Sequence, residues 1–129
     1  MKESNPFSIK ERLYSFIPAF NGIKLLFKNE HNTWIHLFFM VVVILAGIIV
    51  QLSKTEWLFM ALAIVIVFIS ELFNTALERL ADKVESKFDS TIGAVKDYAS
   101  AAVLVASLFA VVVGLVVFGP KLMIFIYDL

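Results

Sequence analysis

The sequence has no cysteine, no glycine-rich phosphate loop, no net charge and no cleavable leader pattern. The first absence excludes disulfides and thiolate metal sites, and says little about the compartment. The second removes the backbone cradle by which Walker-type and soluble-kinase sequences hold phosphates, so any nucleotide would have to be held by side chains and metal. The balance of 11 basic and 11 acidic residues conceals an asymmetry along the chain that is more useful than the total. The beginning, MKESNPFSIKERLYSF, has no apolar stretch followed by small residues, and no signal peptide is expected there.

What the chain has in abundance is apolar surface. Hydrophobic residues make up 60% of the 129 positions, thirteen of them Phe, and the mean hydropathy is +0.89. That is too apolar for one small soluble core and places the chain in a membrane class. Three segments approach the roughly 20 helical residues that span a bilayer core. The first covers 33 to 52, TWIHLFFMVVVILAGIIVQL, with Trp34 and His36 near one end, as expected of rings at an interface. The second covers 57 to 79 and starts at Trp57, after the hydrophilic link SKTE, which is short enough to imply an antiparallel pair. The third covers 98 to 119 and is predicted to stop at the terminator pair Gly119 and Pro120. A polar loop over 80 to 97 joins the last two.

An N-terminal arm over 1 to 32 mixes apolar and basic residues. Ile9, Leu13, Phe16, Ile17 and Phe20 fall on one side at helical spacing, which predicts an amphipathic helix lying in the interface plane. Pro18 and Gly22 are expected to kink or break it, and the aromatics from Phe16 to Phe27 to anchor it. The expected fold is therefore all-α and integral to the membrane: one domain of three transmembrane helices plus an interfacial helix.

Lys and Arg counts orient the spans, because cytoplasmic flanks are enriched in them. Lys2, Lys10, Arg12, Lys24 and Lys28 in the arm join Arg79, Lys83, Lys87 and Lys96 around the second loop, nine against Lys54 and Lys121 on the opposite side. The N-terminus and second loop are expected in the cytoplasm and the C-terminus outside. Most acidic residues, including Glu30, Glu71, Glu78, Asp82, Glu85, Asp89 and Asp97, lie at or near that cytoplasmic boundary, where nucleotides are.

On a helix, Glu71, Asn74, Thr75, Glu78 and Asp82 recur at intervals of three and four and form one polar stripe. Fourteen residues separate Trp57 from Glu71, or about 21 Å of helix, so Glu71 is expected just inside the hydrocarbon edge. Carboxylates there are costly, at about 2.5 to 3.5 kcal/mol each on insertion scales. Asn and Thr alone would be read as interhelical hydrogen bonding. Two carboxylates point elsewhere, since a hard cation such as Mg²⁺ needs oxygen ligands and a carboxylate beside hydrocarbon suits proton abstraction from an alcohol. Other features take plainer readings. Ala102, Ala106, Ala110 and Gly114 repeat every four residues as a small-residue packing seam. His31 and His36 read as interfacial residues.

The run Glu71, Leu72, Phe73, Asn74, Thr75, Ala76, Leu77, Glu78, with Asp82 four further on, resembles the signature of the prokaryotic diacylglycerol kinase family. KNEHNTWIH before the first span and AVKDYASAAVL entering the third are also similar to it, so the likeness covers roughly 16 to 121. TEWL, His36 and the ending GLVVFGPKL are more similar to undecaprenol kinases than to the enterobacterial diacylglycerol kinases. The resemblance implies a homotrimeric lipid kinase of the bacterial inner (cytoplasmic) membrane. Such an enzyme moves the γ-phosphate of ATP, with Mg²⁺, to a lipid alcohol, undecaprenol or diacylglycerol.

By that likeness Glu71 matches the general base, Glu30 and Glu78 the carboxylates that hold Mg²⁺, and Asn74 the asparagine beside the base. Asp82, Lys96 and Asp97 match positions around the nucleotide. Lys87, Phe88 and Asp89 align with a nucleotide-contacting part of the loop, although their residue types differ. Pro18 replaces a nucleotide-contacting tyrosine and Glu11 an arginine, with Lys10 or Arg12 as substitutes, and His36 replaces a glutamate of the lipid-binding region. A different class of function, a small oligomeric carrier of protons or cations using Glu71, would place its site nearer mid-membrane and would need no Lys96 or Asp97. A third reading is a pseudoenzyme serving as a structural subunit.

Overall fold

The computed structural model describes residues 9 to 84 and 89 to 127. Five helices follow in order: α1 (Ile9–Tyr14), α2 (Phe16–Asn29), α3 (His31–Ile49), α4 (Lys54–Val84) and α5 (Ser90–Tyr127). Three of them, α3, α4 and α5, are long and apolar enough to cross a membrane. Among the described residues no strand is present, so the fold is all-helical with three membrane-spanning helices.

The interfacial arm breaks at Ser15, within the turn that precedes Pro18, and not at Gly22. The Ser15 hydroxyl donates to the Arg12 carbonyl at 2.6 Å, and α2 then runs unbroken through both Pro18 and Gly22. Pro18 is the third residue of α2, in the first turn, where the N–H it lacks would have found no intrahelical acceptor. The correction thus comes from where the helix starts.

One extended residue, Glu30 (φ −110°, ψ 114°), separates α2 from α3. The indole of Trp34 donates to the Phe27 carbonyl at 2.9 Å, satisfying one of the acceptors left over at the end of α2. The Phe27 ring meets Trp34 edge-on at 5.7 Å and lies 6.2 Å from Phe68 of α4. These contacts fold the arm back onto the middle of α4.

The α3–α4 hairpin is closed by two local motifs. Leu52 N–H bonds Gly47 C=O and Gln51 N–H bonds Ile48 C=O at 3.0 and 3.2 Å, the paired helix stop that requires a left-handed residue. Gln51 takes that role with φ of 53°. Ser53 and Glu56 then exchange side-chain-to-backbone hydrogen bonds, 2.7 Å from Ser53 N–H to Glu56 Oε2 and 3.3 Å from Glu56 N–H to Ser53 Oγ, a capping box that starts α4. Trp57 packs over Gly47, where an added Cβ would lie 2.8 Å from the ring. Lys121 of α5 reaches the same Glu56 at 3.4 Å.

Around this end the core forms from Leu52, Met60, Ala63, Val113 and Val117. The chief packing is α4 on α5. Most large apolar side chains are exposed, among them Phe38, Leu104 and Leu115, as expected where lipid or further protein is the surrounding medium. The small-residue seam packs only in part. Ala106 is buried and Ala110 flanks the core, whereas Ala102 is exposed and Gly114 looks onto open space.

The third helix also departs from expectation. It passes through Gly119 and Pro120 and continues to Tyr127. A proline inside a helix gives up one backbone bond, and past Lys121 the chain, LMIFIY, is again apolar. With 38 residues, α5 is far longer than a span requires.

Candidate active site

The buried line of α4 changes character along its length. Met60, Ala63 and Val67 carry it through the core, and Glu71 and Thr75 continue it at the same spacing. The polar stripe is thus the buried seam of α4 prolonged beyond Val67, with Glu71 only 4% exposed. A carboxylate so placed needs a partner, because leaving a buried charge unpaired is strongly destabilising.

That partner is His36. Its Nε2 lies 2.7 Å from Glu71 Oε1, with side-chain exposures of 24% and 5% respectively. This contact gives His36 a role beyond that of an interfacial ring. Hairpin geometry brings the two residues level: His36 is seventeen positions before Ser53 and Glu71 eighteen after it, and two antiparallel helices rise equally per residue. That symmetry was present in the sequence as a signal.

One turn further along α4, Asn74 Nδ2 donates to Glu78 Oε1 at 3.3 Å. The second Asn74 atom, Oδ1, is buried with no hydrogen-bond partner among the described residues, as are the hydroxyls of Thr75 and of Thr33 in the first turn of α3. Asp82 accepts from Lys96 Nζ at 2.8 Å, bridging α4 and α5 across the connection between them. Asp97 stands next to Lys96 on α5 and is exposed.

Asp89 has a local task. Its Oδ1 accepts from the N–H groups of Thr91 and Ile92 at 2.8 and 2.9 Å, a helix N-cap for α5. Lys87 and Phe88, assigned with it by resemblance, lie outside the described residues. Glu30 is the half-buried extended residue between α2 and α3 and makes no side-chain cap hydrogen bond.

Glu71, Asn74 and Glu78 are therefore gathered on one helix seam, and Asp82 is joined to Lys96. Among the described residues no group of three or more His, Asp or Glu is placed to hold a metal ion within one chain. The donors nonetheless suit a hard cation that takes only one or two protein carboxylates and completes its shell with phosphate and water. Glu78 has a second carboxylate oxygen, and the unpartnered Asn74 Oδ1 is the same kind of ligand.

An apolar slot of about 120 Å³ lies between α3, α4 and α5. His36 lines it, and Phe39, Met40, Val67, Ala110 and Gly114 are among its other walls. A wider groove of about 710 Å³ opens between α4 and α5 along Ser70, Tyr98, Ala102 and Ala106.

Comparison with known proteins adds identity to this geometry. Residues 18 to 118 match the family model described as prokaryotic diacylglycerol kinase. An undecaprenol kinase of Bacillus subtilis (strain 168) is 36% identical over 108 residues, covering 84% of this chain and 88% of that protein. A diacylglycerol kinase of Synechocystis sp. (strain ATCC 27184 / PCC 6803 / Kazusa) is 37% identical over 112 residues, covering 86% of this chain and 64% of that protein.

Proposed function

This chain belongs to the prokaryotic diacylglycerol kinase family, and from that premise we propose how it works as a membrane lipid kinase. The γ-phosphate of ATP passes to the terminal hydroxyl of a lipid alcohol at the cytoplasmic face of the membrane. Undecaprenol is the favoured acceptor and diacylglycerol the second. The near full-length likeness to an undecaprenol kinase supports that order.

The observation that carries this reading is the burial of Glu71 at the point where an apolar seam turns polar. A lipid hydroxyl arriving through the membrane would meet a carboxylate with little water around it, the setting in which a general base is effective. The apolar slot beside His36 offers room for the part of the lipid next to its hydroxyl.

Chemically, the hydroxyl oxygen attacks the γ-phosphorus while Glu71 accepts the hydroxyl proton. The bond from the γ-phosphorus to the bridging oxygen breaks, and ADP leaves. Glu78 and Glu30 would hold Mg²⁺, which when bound offsets charge on the phosphates. Asn74 orients Glu78 through its amide. Lys96, kept in place by Asp82, presents its ammonium to the phosphates, with Asp97 beside it and Lys87 completing the nucleotide set. Asp89 contributes by fixing the start of α5, two turns before Lys96 and Asp97.

Positive charge bias supports a cytoplasmic N-terminus and second loop and an external C-terminus. A homotrimer is proposed as the working form. One chain alone leaves most of α3 and α5 uncovered, with 11% and 17% of their most apolar windows buried. The open groove lined by Ala102 and Ala106 is suited to a neighbouring helix.

The test is transfer of ³²P from [γ-³²P]ATP to undecaprenol and to diacylglycerol by the purified trimer, with Glu71→Gln as control. Phosphorylated lipid formed by the wild type and not by the variant is the expected result. Failure with both lipids would overturn the proposal.

A further inference from the structure

A base used once per turnover must be emptied once per turnover. Glu71 is badly placed to do this alone: its side chain is 5% exposed, it lies between Val67 and Thr75 on a buried seam, and Asn74 is engaged with Glu78. Among the described residues, the titratable group within hydrogen-bond distance of Glu71 is His36, at 2.7 Å and with 24% of its side chain exposed.

We propose that His36 is a positioning residue that carries the substrate's proton away from Glu71 and so resets the carboxylate after each phosphoryl transfer. This rests on the reading of Glu71 as the base. When Glu71 holds the proton taken from the lipid, the neutral ring with its own proton on Nδ1 offers Nε2 as an acceptor across the 2.7 Å contact, and when Glu71 is ionised the proton in that contact sits on Nε2. Glu71 gives up the proton taken from the lipid hydroxyl, the ring becomes imidazolium, and the Nδ1 proton departs to water. The carboxylate is then free again, the ring is neutral with its proton on Nε2, and exchange with water restores the starting tautomer. No oxidant or second reactant is needed.

The surroundings of His36 support a relay of this kind. Where α4 and α5 line the slot beside it, their side chains are apolar or small: Met60, Ala63 and Val67 on α4, Ala110 and Gly114 on α5. Glu71 is the charged residue of α4 that meets it. From α2 the charged side chains are Lys24 and Lys28, and on its own helix His31, all exposed. The half-buried Glu30 stands just before α3.

The experiment compares wild type, His36→Gln, His36→Ala and Glu71→Gln as purified trimers in the ³²P assay across pH. His36→Ala and His36→Gln should both lose roughly 10- to 100-fold in kcat, at or just below the usual range for a proton-transfer group, with KM for ATP unchanged. Added imidazole should restore part of kcat in His36→Ala and nothing in Glu71→Gln. The pH profile of His36→Gln should differ from that of the wild type. A His36→Gln enzyme with wild-type kcat and pH profile would show that a hydrogen bond suffices and would overturn the relay, as would absence of imidazole rescue in a folded His36→Ala trimer. Wild-type activity in Glu71→Gln would instead remove the base reading and the relay with it, so the two failures are distinguishable.

Discussion

Lys96 Nζ and Asp82 Oδ1 meet at 2.8 Å although they stand fourteen positions apart, with the whole α4–α5 connection between them. The contact is well exposed, with 38% and 68% of the two side chains accessible, so it adds little to stability in water. Its value is directional, because the ammonium is held over the polar stripe of α4.

Lys96→Met should therefore leave the protein folded and in its wild-type oligomeric state while lowering kcat/KM for ATP by roughly 10²-fold, the scale seen when one electrostatic stabiliser of a transition state is removed. Size-exclusion chromatography and the ³²P assay read the two halves of this statement. Asp82→Asn should give the same pattern more weakly.

Glu78→Gln keeps the volume and the amide contact of Asn74 but removes a charge from the proposed metal site. The Mg²⁺ concentration for half-maximal rate should rise by at least about tenfold, since even supporting residues of metal sites cost 10- to 100-fold in affinity. A magnesium titration at fixed ATP checks this. An unchanged midpoint would remove Glu78 from the metal site.

Gly47→Ala tests the hairpin. The added Cβ would lie 2.8 Å from Trp57 Cη2 and 2.9 Å from Leu52 Cδ1, and the ring cannot yield as a flexible chain end can. Overpacking of this kind costs about 1 to 3 kcal/mol. Thermal unfolding in detergent should show a lower Tm, with specific activity of the surviving fraction preserved.

Gln51→Gly should act in the opposite sense. A side chain at φ of 53° bears a left-handed penalty of about 1 to 2 kcal/mol, part of which glycine returns in the flexibility of the unfolded chain. A net gain of up to about 1 kcal/mol, seen as a higher Tm with unchanged kcat, is expected.

Three apolar runs and a polar stripe were legible because both depend on spacing along one helix. Glu71 was identifiable by the same means, being both on the stripe and at the edge of an apolar run. His36 was legible only through the hairpin count about Ser53, because its meaning depends on which residue of a second helix stands opposite. Asp89 shows another limit: the resemblance sets it near the nucleotide, and only the start of α5 reveals the two amides it also serves. Pro120 and Pro18 fail a local rule for different reasons. One sits within a long apolar helix that continues past it, the other in a first turn where its missing donor is not needed.

Because α4 runs without interruption from the capped turn at Ser53 past Glu71, it acts as a ruler whose zero mark is the hairpin. Deleting or inserting one residue anywhere in that interval would turn the carboxylate by about 100° around the axis as well as shift its depth, taking it off the seam and away from His36. Length can vary without this penalty only beyond the ruler's ends, in the arm or in the connection before α5.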